Sequence, residues 1–230
     1  MAGTRLTFDC ATSNGSDSRD RRIDHLVIAG WTGRDQAAIQ AHIEELAALG
    51  VPRPATTPIF YRVAAALLST DDVLEMSGNT SSGEVEPVLV ALEDGLWVGV
   101  GSDHTDRQAE TVGITLAKQL CAKAVSPTLW RFADLAGHWD QLILRSYAVV
   151  GGSRRLYQEG TAALMLRPED LIQRYTGKAA LPGGTAMFCG TMAVKGGIAP
   201  ADSFEMELED PVLKRTIRHA YRVVPLPVAG

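Results

Sequence analysis

Three acidic side chains near the middle of the sequence have the type and spacing of a metal site. Glu84 and Glu86 lie two positions apart in a β-rich run, so on a strand both side chains point to the same face. Asp103 follows the next β-rich run and could complete the set. Mg²⁺ and Mn²⁺ prefer carboxylate and water oxygens, and such an ion would relieve the repulsion between the carboxylates. The alternative is a solvated strand face, which the E-x-E pattern alone does not exclude.

A second group, His42 with Glu45, has the residue types needed to activate water. The apolar residues Ile39 and Ile43 recur at helical spacing, and the pattern predicts a helix from about residue 35 to 49. On that helix His42 lies within the apolar arc, and Glu45 lies one turn away at its edge. A carboxylate that steers an imidazole is a common general base. The alternative is a structural histidine that bonds a neighbouring carboxylate at the helix seam.

Polar residues after the second β-rich run are further candidates. His104 could act as a base, and the alternative is a loop histidine with a hydrogen-bond partner. Asp106 could cap the helix that follows, which is predicted over residues 110–122. Lys118 and Lys123 lie near the end of that helix, where a lysine usually interacts favourably with the helix dipole.

The elements that must position these residues are mostly strands. Residues 84–91 and 96–100 are predicted as a hairpin, because Gly95 ends a turn between them. A short helix is predicted after Pro168 and ends before Gly177. Further strands are predicted at residues 6–8, 142–150, 204–208 and 217–223, with a polar loop at 13–22 before the apolar run 26–29. Because no regular βαβ alternation appears, the pattern favours an α+β fold with mixed or antiparallel sheets.

Length and composition restrict the class of protein. A chain of 230 residues favours a single domain. A net charge of −5 argues against a protein that coats nucleic acid, because such a protein needs a basic surface. No apolar run approaches the roughly 18–20 residues that a membrane span needs, and no apolar leader begins the sequence. Cys10, Cys121 and Cys189 are widely spaced, so free thiols and a cytoplasmic location are expected.

Seven short segments, spread over residues 30–224, follow an order found in one enzyme superfamily. His42-Ile43-Glu44-Glu45, with Pro58 and Phe60-Tyr61-Arg62 after it, resembles an H-x-x-E lid segment followed by a P-x-F-x-K/R strand. Glu84-Val85-Glu86 is similar to an E-x-E metal motif. The segment from Ser102 to Arg107 is similar to an N-D-x-x-x-R motif, with Asp103 as the third ligand. On these and the segments below, the chain resembles the fumarylacetoacetate hydrolase superfamily and is similar to a divergent branch of it.

The later segments continue the resemblance with some departures. Lys118 resembles the lysine of a K-S-F segment, although Gln119 and Leu120 replace the two residues after it. The segment from Gln158 to Thr161, with Met165, is similar to a Q-x-G-x-T-x-x-M strand. Cys189-Gly190-Thr191 resembles a G-T-P turn in which Met192 replaces the proline, and residues 197–207 resemble an L-x-P-G-D-x-x-E-x-E stretch in which Ala201 replaces the glycine.

The resemblance implies a fold and a set of site residues. The expected fold is a β-rich roll of mixed and antiparallel sheets with a few peripheral helices, in which a strand region at 1–29 packs on a catalytic domain at 30–230. It implies Mg²⁺ or Mn²⁺ held by Glu84, Glu86 and Asp103, and a homodimer in the cytoplasm without nucleic acid or membrane partners. Catalysis is assigned to His42, Glu45 and Lys118. Substrate contacts are assigned to Arg62, Asp106, Arg107, Gln158, Gly190 and Thr191.

The reaction implied is hydrolysis of a C–C bond in a diketo acid or acylpyruvate-like 2-oxo acid. The metal would stabilise the enolate that forms on cleavage, while His42, steered by Glu45, deprotonates the attacking water. One alternative keeps the metal and acts as a decarboxylase, tautomerase or lyase on a small 2-oxo acid. The other is a non-catalytic member of the fold that binds a small molecule. The departures at Gln119, Leu120, Met192 and Ala201 affect the choice of substrate more than the metal.

Overall fold

The computed structural model describes residues 3–12, 15–48 and 53–229. Within these ranges the α-helices are α1 (Gln36–Ala48), α2 (Arg107–Glu110), α3 (Ile114–Gln119), α4 (Phe132–Leu135) and α5 (Pro168–Thr176). The strands are β1 (Thr4–Thr12), β2 (Gly15–Ile23), β3 (His25–Gly30), β4 (Ile59–Val63), β5 (Leu68–Ser69), β6 (Val73–Ser77), β7 (Ser81–Ser82), β8 (Val85–Leu92), β9 (Gly95–Ser102), β10 (Thr105–Asp106), β11 (Lys123–Val125), β12 (Thr128–Arg131), β13 (Ile143–Val150), β14 (Ser153–Thr161), β15 (Thr185–Phe188), β16 (Ser203–Asp210) and β17 (Arg215–Leu226).

Two large sheets carry the fold. A mixed sheet of ten strands runs in the order β2-β1-β12-β9-β8-β15-β3-β4, with β11 joined to β9 and β5 joined to β11. A five-stranded sheet runs in the order β14-β13-β16-β17-β6, and β7 pairs with β10 as a short ribbon. Because helices are few and the sheets are mixed, the prediction of an α+β, β-rich fold is confirmed.

The central hairpin of β8 and β9 is buried on both faces. Leu89 and Val98 belong to a core cluster shared with the five-stranded sheet, whereas Val88 and Val90 belong to a second cluster on the opposite face. A strand covered on both faces reads as a near-continuous apolar run, as β8 does. Glu86 therefore interrupts a buried strand, on the same face as Val88 and Val90.

The strongest sequence signals are confirmed. The structure forms the predicted hairpin, with Glu86 opposite Gly101 in the register of β8 and β9. Helix α1 begins after Asp35, whose Oδ1 accepts a hydrogen bond from Ala38 N at 3.0 Å, and residue 49 lies outside the described residues. Helix α5 ends at Gly177, which adopts a left-handed conformation. All three cysteines are buried and unpaired.

Two predictions about local structure are wrong. The polar segment predicted as a loop over 13–22 forms strand β2 from Gly15 onward, paired antiparallel with β1, and residues 13 and 14 lie outside the described part of the chain. Strand β2 is the edge of its sheet, where charged side chains reach water and discourage further pairing. The helix predicted over 110–122 is two short helices, α2 and α3, because Gly113 separates them in an extended conformation.

No helix among residues 3–12, 15–48 and 53–229 is long and apolar enough to cross a membrane.

We expect Gly101→Ala to destabilise the hairpin that carries the acidic residues. A Cβ at this position would lie 2.6 Å from Val88 Cγ2 and 2.7 Å from Ala124 O, and a buried strand does not yield easily. The free energy of unfolding, measured by urea denaturation, should fall by about 2 kcal/mol. The control is Gly137→Ala, since a Cβ there meets nothing within 4 Å and should leave stability unchanged or slightly higher. Equal stability of the two variants would contradict the argument.

Candidate metal centre

The three predicted carboxylates lie together at the open end of the β8–β9 hairpin. Glu84 precedes β8 and Asp103 follows β9, and their main chains are joined by a hydrogen bond of 3.0 Å from Asp103 N to Glu84 O. One oxygen from each of Glu84, Glu86 and Asp103 lies within 4.8 Å of the others. Hairpin pairing thus brings residues from both ends of the hairpin into one cluster.

Glu86 has the fewest partners of the three carboxylates. Its side chain is 2% exposed, and its partner among the described residues is Gly190 N, which donates to Oε2 at 2.6 Å. Burial raises the pKa of Glu86 well above its usual range, and the nearby charges of Asp103 and Glu84 raise it further. A buried carboxylate with one neutral donor fits a metal ligand, because a bound cation would compensate its charge.

Asp103 lies between two lysines. Lys118 Nζ forms an ion pair with Oδ2 of Asp103 and lies 3.8 Å from Glu84 Oε2. Lys123 Nζ lies 3.1 Å from Oδ1 of Asp103 and donates a hydrogen bond to the carbonyl of His104. Burial alone would raise the pKa of Asp103, but the two ammonium groups outweigh burial and hold it below its usual value.

The two lysines themselves shift in opposite directions. Burial lowers the pKa of a lysine, but Asp103 and Glu84 outweigh burial at Lys118 and raise its pKa well above the usual value. At Lys123 burial is the larger effect, and the pKa of Lys123 is lowered although Asp103 opposes the change. Lys118 therefore remains an ammonium at neutral pH, which suits a charge partner and not a base or nucleophile.

Arg107 compensates the charge of Glu84. Its Nη2 donates to Glu84 Oε1 at 2.8 Å, its Nε to Ser82 Oγ at 2.7 Å, and its Nη1 to Glu110 at 3.1 Å. The preceding residue, Asp106, caps α2 through bonds of 2.9 Å from two main-chain N–H groups. Asp106 thus positions the helix that carries Arg107.

The turn at Gly190 and Thr191 closes the site beside Glu86. Gly190 has a φ of 98° and a Cβ here would overlap Thr32 Oγ1, so only glycine brings this N–H to the carboxylate. Thr191 Oγ1 donates to Val85 O at 2.7 Å and accepts from Gln158 Nε2 at 2.8 Å. The turn is therefore fastened to the strand that carries Glu86.

The described hydrogen-bond partners of Gln158 and Arg62 do not include the three carboxylates. The Gln158 amide accepts from Val85 N and Ser146 Oγ and donates to Thr191 and Met192 O, which uses all four of its hydrogen-bonding positions. The predicted contact between Gln158 and substrate stays a prediction. In the structure, Gln158 holds the turn at Thr191 against strand β8. Arg62 bonds His25 and Tyr175, and is not brought to the carboxylates.

The helix predicted to supply the base is present as α1. Helix α1 follows the segment of Thr32, a buried residue that lies against Gly190. Glu45 is exposed on this helix, and the side chain of His42 lies outside what the structure describes. Their roles stay predictions.

Tyr61 was not assigned to the site from the sequence, and His104 was considered there as a candidate base. The ring of Tyr61 lies 5.8 Å from Lys118 Nζ, and its hydroxyl is hydrogen-bonded by Trp31. His104 is buried between Tyr221 Oη at 2.7 Å and Ser81 Oγ at 2.9 Å, and burial lowers its pKa to about 3. A neutral, hydrogen-bonded His104 agrees with the structural alternative. Tyr61 and Arg62 are neighbours on one strand, so their side chains face opposite sides of the sheet. This alternation means that only one of the two can face the site, and it could have indicated Tyr61 as the alternative to Arg62.

Solved structures of low sequence identity share this fold. Cg1458, crystallised with an inhibitor, is 16% identical, with 90% of this chain and 81% of that chain covered and a TM-score of 0.65. The yeast protein ynq8, of the fumarylacetoacetate hydrolase family, is 18% identical, with 90% and 95% covered and a TM-score of 0.62. A 2-keto-3-deoxy-D-arabinonate dehydratase complexed with magnesium and 2,5-dioxopentanoate is 16% identical, with 91% and 78% covered and a TM-score of 0.61.

These likenesses establish the fold as that of the fumarylacetoacetate hydrolase superfamily, as the sequence motifs predict. Within that fold, residues 29–221 match the family described as a protein of unknown function, DUF2848, and the chain belongs to this family. No curated protein matches the sequence.

We expect Glu86→Gln to remove cation binding while the fold is kept. The amide has the shape of the carboxylate but neither its charge nor its affinity for a hard cation. Mn²⁺ affinity, followed by electron paramagnetic resonance up to millimolar metal, should fall at least about 100-fold.

The control for Glu86→Gln is Glu110→Gln, which makes the same change at a carboxylate that pairs with Arg107 but lies outside the three-carboxylate cluster. It should bind Mn²⁺ like the unmodified protein. Equal Mn²⁺ affinity for Glu86→Gln and the unmodified protein would show that Glu86 is not a ligand.

Proposed function

We propose that the chain is a divalent-metal-dependent enzyme that cleaves a C–C bond in a small 2-oxo acid, with hydrolysis of a diketo acid or acylpyruvate as the reaction. The observation that carries the proposal is the cluster of Glu84, Glu86 and Asp103, in which the buried Glu86 has one neutral hydrogen-bond partner among the described residues. Mg²⁺ or Mn²⁺ held by these residues would act as a Lewis acid on the carbonyl of a chelating 2-oxo acid.

The residues around the cluster favour an anionic substrate. Lys118 is held as an ammonium by Asp103 and Glu84, and can attract a substrate carboxylate or an oxygen that gains negative charge. Gly190 fixes the position of Glu86, and Arg107 that of Glu84. Because these contacts exist before substrate arrives, little reorganisation accompanies its binding.

Water activation is assigned to helix α1. A base is required for hydrolysis, and His104 is a poor candidate because its two ring nitrogens already bond Tyr221 and Ser81. His42, steered by Glu45 one turn along α1, would take the proton from the attacking water. Helix α1 begins four residues after Thr32, which lies against Gly190, and this short connection supports the assignment.

A second candidate reaction needs no base that deprotonates water. The same carboxylates and Lys118 would serve a decarboxylase, tautomerase or lyase, because such reactions pass through a stabilised enolate and need no water attack. The likeness to a dehydratase complexed with magnesium and 2,5-dioxopentanoate favours this candidate.

The first test is a substrate panel with purified protein. Acylpyruvates, oxaloacetate and related oxo acids are followed by loss of enol absorbance, with Mg²⁺ or Mn²⁺ and after chelation. We expect metal-dependent turnover that Glu84→Gln lowers at least about 1,000-fold in kcat/KM, because several kcal/mol of charge stabilisation is lost. Ligands that bind and are never converted would instead support a non-catalytic member of the fold.

The second test separates hydrolysis from the alternatives. His42→Ala should lower kcat about 100-fold or more if His42 activates water, with Mn²⁺ affinity unchanged. Gln40→Ala, an exposed change on the same helix, is the control and should keep full rate. Full rate in His42→Ala, with intact metal dependence, would favour decarboxylation or tautomerisation.

A further inference from the structure

The segment that leads into helix α1 is bound to a neighbouring stretch of the chain by main-chain hydrogen bonds. The N–H of Arg34 donates to Leu164 O at 3.0 Å, and the N–H of Leu166 donates to Thr32 O at 2.7 Å. Helix α1 begins two residues after Arg34. The start of the helix is therefore attached to a second part of the fold.

The side chain of Arg34 adds further contacts in a different direction. Its Nη1 and Nη2 donate to the two oxygens of Asp140 at 2.9 and 2.6 Å, and its Nε donates to Met165 O at 2.6 Å. Asp140 belongs to the helical segment Ala136–Gln141, and Arg167 lies 3.4 Å from the Asp140 carboxylate and donates to the first carbonyl of that segment at 2.7 Å. A planar guanidinium that donates to both oxygens of a carboxylate fixes direction as well as distance.

Beyond its start, helix α1 buries few side chains. Among the side chains of α1 that the structure describes, Ile43 is buried, Ile39 and Ala47 are partly buried, and the others are exposed. The packing of an apolar face usually supplies most of the stability and direction of a helix. Because α1 buries so little, the contacts of Arg34 at its start become important for the direction of the helix.

The position of His42 depends on that direction. His42 lies seven residues after Asp35, which is about 10 Å along the helix. A rotation of about 10° at the start of α1 would therefore move this position by about 2 Å. A displacement of about 1 Å between reacting groups can lower a rate about 100-fold.

We propose that Arg34 is a positioning residue, whose contacts with Asp140 and Met165 O set the direction of α1 and thereby the position of His42. This inference rests on the proposed function, in which His42 activates water. Arg34 belongs neither to the carboxylate cluster nor to the segments that resemble the superfamily motifs. It acts through the helix and does not itself touch the reacting atoms.

A purely structural role for Arg34 makes a different expectation. The side chains of Arg34 and Asp140 are 33% and 41% exposed, and an ion pair in contact with water adds little stability. If the pair had only this role, its removal would slightly lower the free energy of unfolding. The mobility of α1 and the rate of the folded protein would stay unchanged.

The first experiment measures hydrogen exchange of the α1 main-chain amides by mass spectrometry, which needs neither metal nor substrate. In Arg34→Met these amides should exchange about tenfold faster, while those of the β8–β9 hairpin keep their rates. Arg34→Lys keeps the charge but cannot form the bidentate pair, so it should show most of the same increase. The control is Arg154→Met, which breaks an ion pair of similar exposure with Glu205 on the five-stranded sheet and should leave α1 unchanged.

The second experiment is a double-mutant cycle with His42→Ala, run on the oxo acid that the unmodified protein converts fastest. Arg34→Met alone should lower kcat by about 10- to 100-fold, with little change in KM and unchanged Mn²⁺ affinity. Asp140→Ala removes the other partner of the ion pair and should behave alike. In the His42→Ala background Arg34→Met should have no further effect on kcat, because the group that it positions is already absent.

The outcomes separate this inference from the proposed function. Unchanged exchange of α1 in Arg34→Met and Asp140→Ala would overturn the inference without any need for turnover. Faster exchange with full kcat, or an equal loss of kcat with and without His42, would also overturn it. Full kcat in His42→Ala would do the same, because α1 would then not supply the base. Absence of metal-dependent turnover, with faster exchange of α1 in Arg34→Met, would overturn the proposed function and leave the contacts of Arg34 as the hold on α1.

Discussion

The contact on which the site depends is the ion pair that buried Asp103 makes with Lys118 and Lys123. A fully buried carboxylate is costly unless compensated, and here each oxygen lies against an ammonium. Lys118 also lies near Glu84, so the position of one cation affects two of the three acids. The charges of the site are therefore coupled, and a change at any one of them alters the others.

The hairpin makes this concentration of charge geometrically possible. Strands β8 and β9 are covered on both faces, which fixes their register, and a one-residue slip would move Glu86 to the opposite core. Two glycines leave room around Glu86: Gly101 lies opposite it on β9, and the N–H of Gly190 bonds its carboxylate. A larger residue at either position would clash with its neighbours. The apolar core and the polar site are thus parts of one arrangement.

Much of the fold and of the carboxylate cluster could be predicted from the sequence, and the features that could not be predicted have physical causes. The E-x-E spacing, the turn at Gly95 and the position of Asp103 are local signals, so the hairpin and its acids were predictable. Lys123 and Tyr61 reach the site through strand pairing and side-chain direction, which spacing alone does not reveal. Strand β2 was missed because an edge strand carries charges that resemble those of a loop.

Glu86 distinguishes a ligand site from a network that serves stability alone. Arg107, Lys118 and Lys123 compensate Glu84 and Asp103, whereas the described partner of Glu86 is the N–H of Gly190. Buried ion pairs add little stability over apolar residues, and a carboxylate with one neutral donor adds less still. Apolar residues would stabilise this end of the hairpin better, and this supports the proposal that its carboxylates bind a cation.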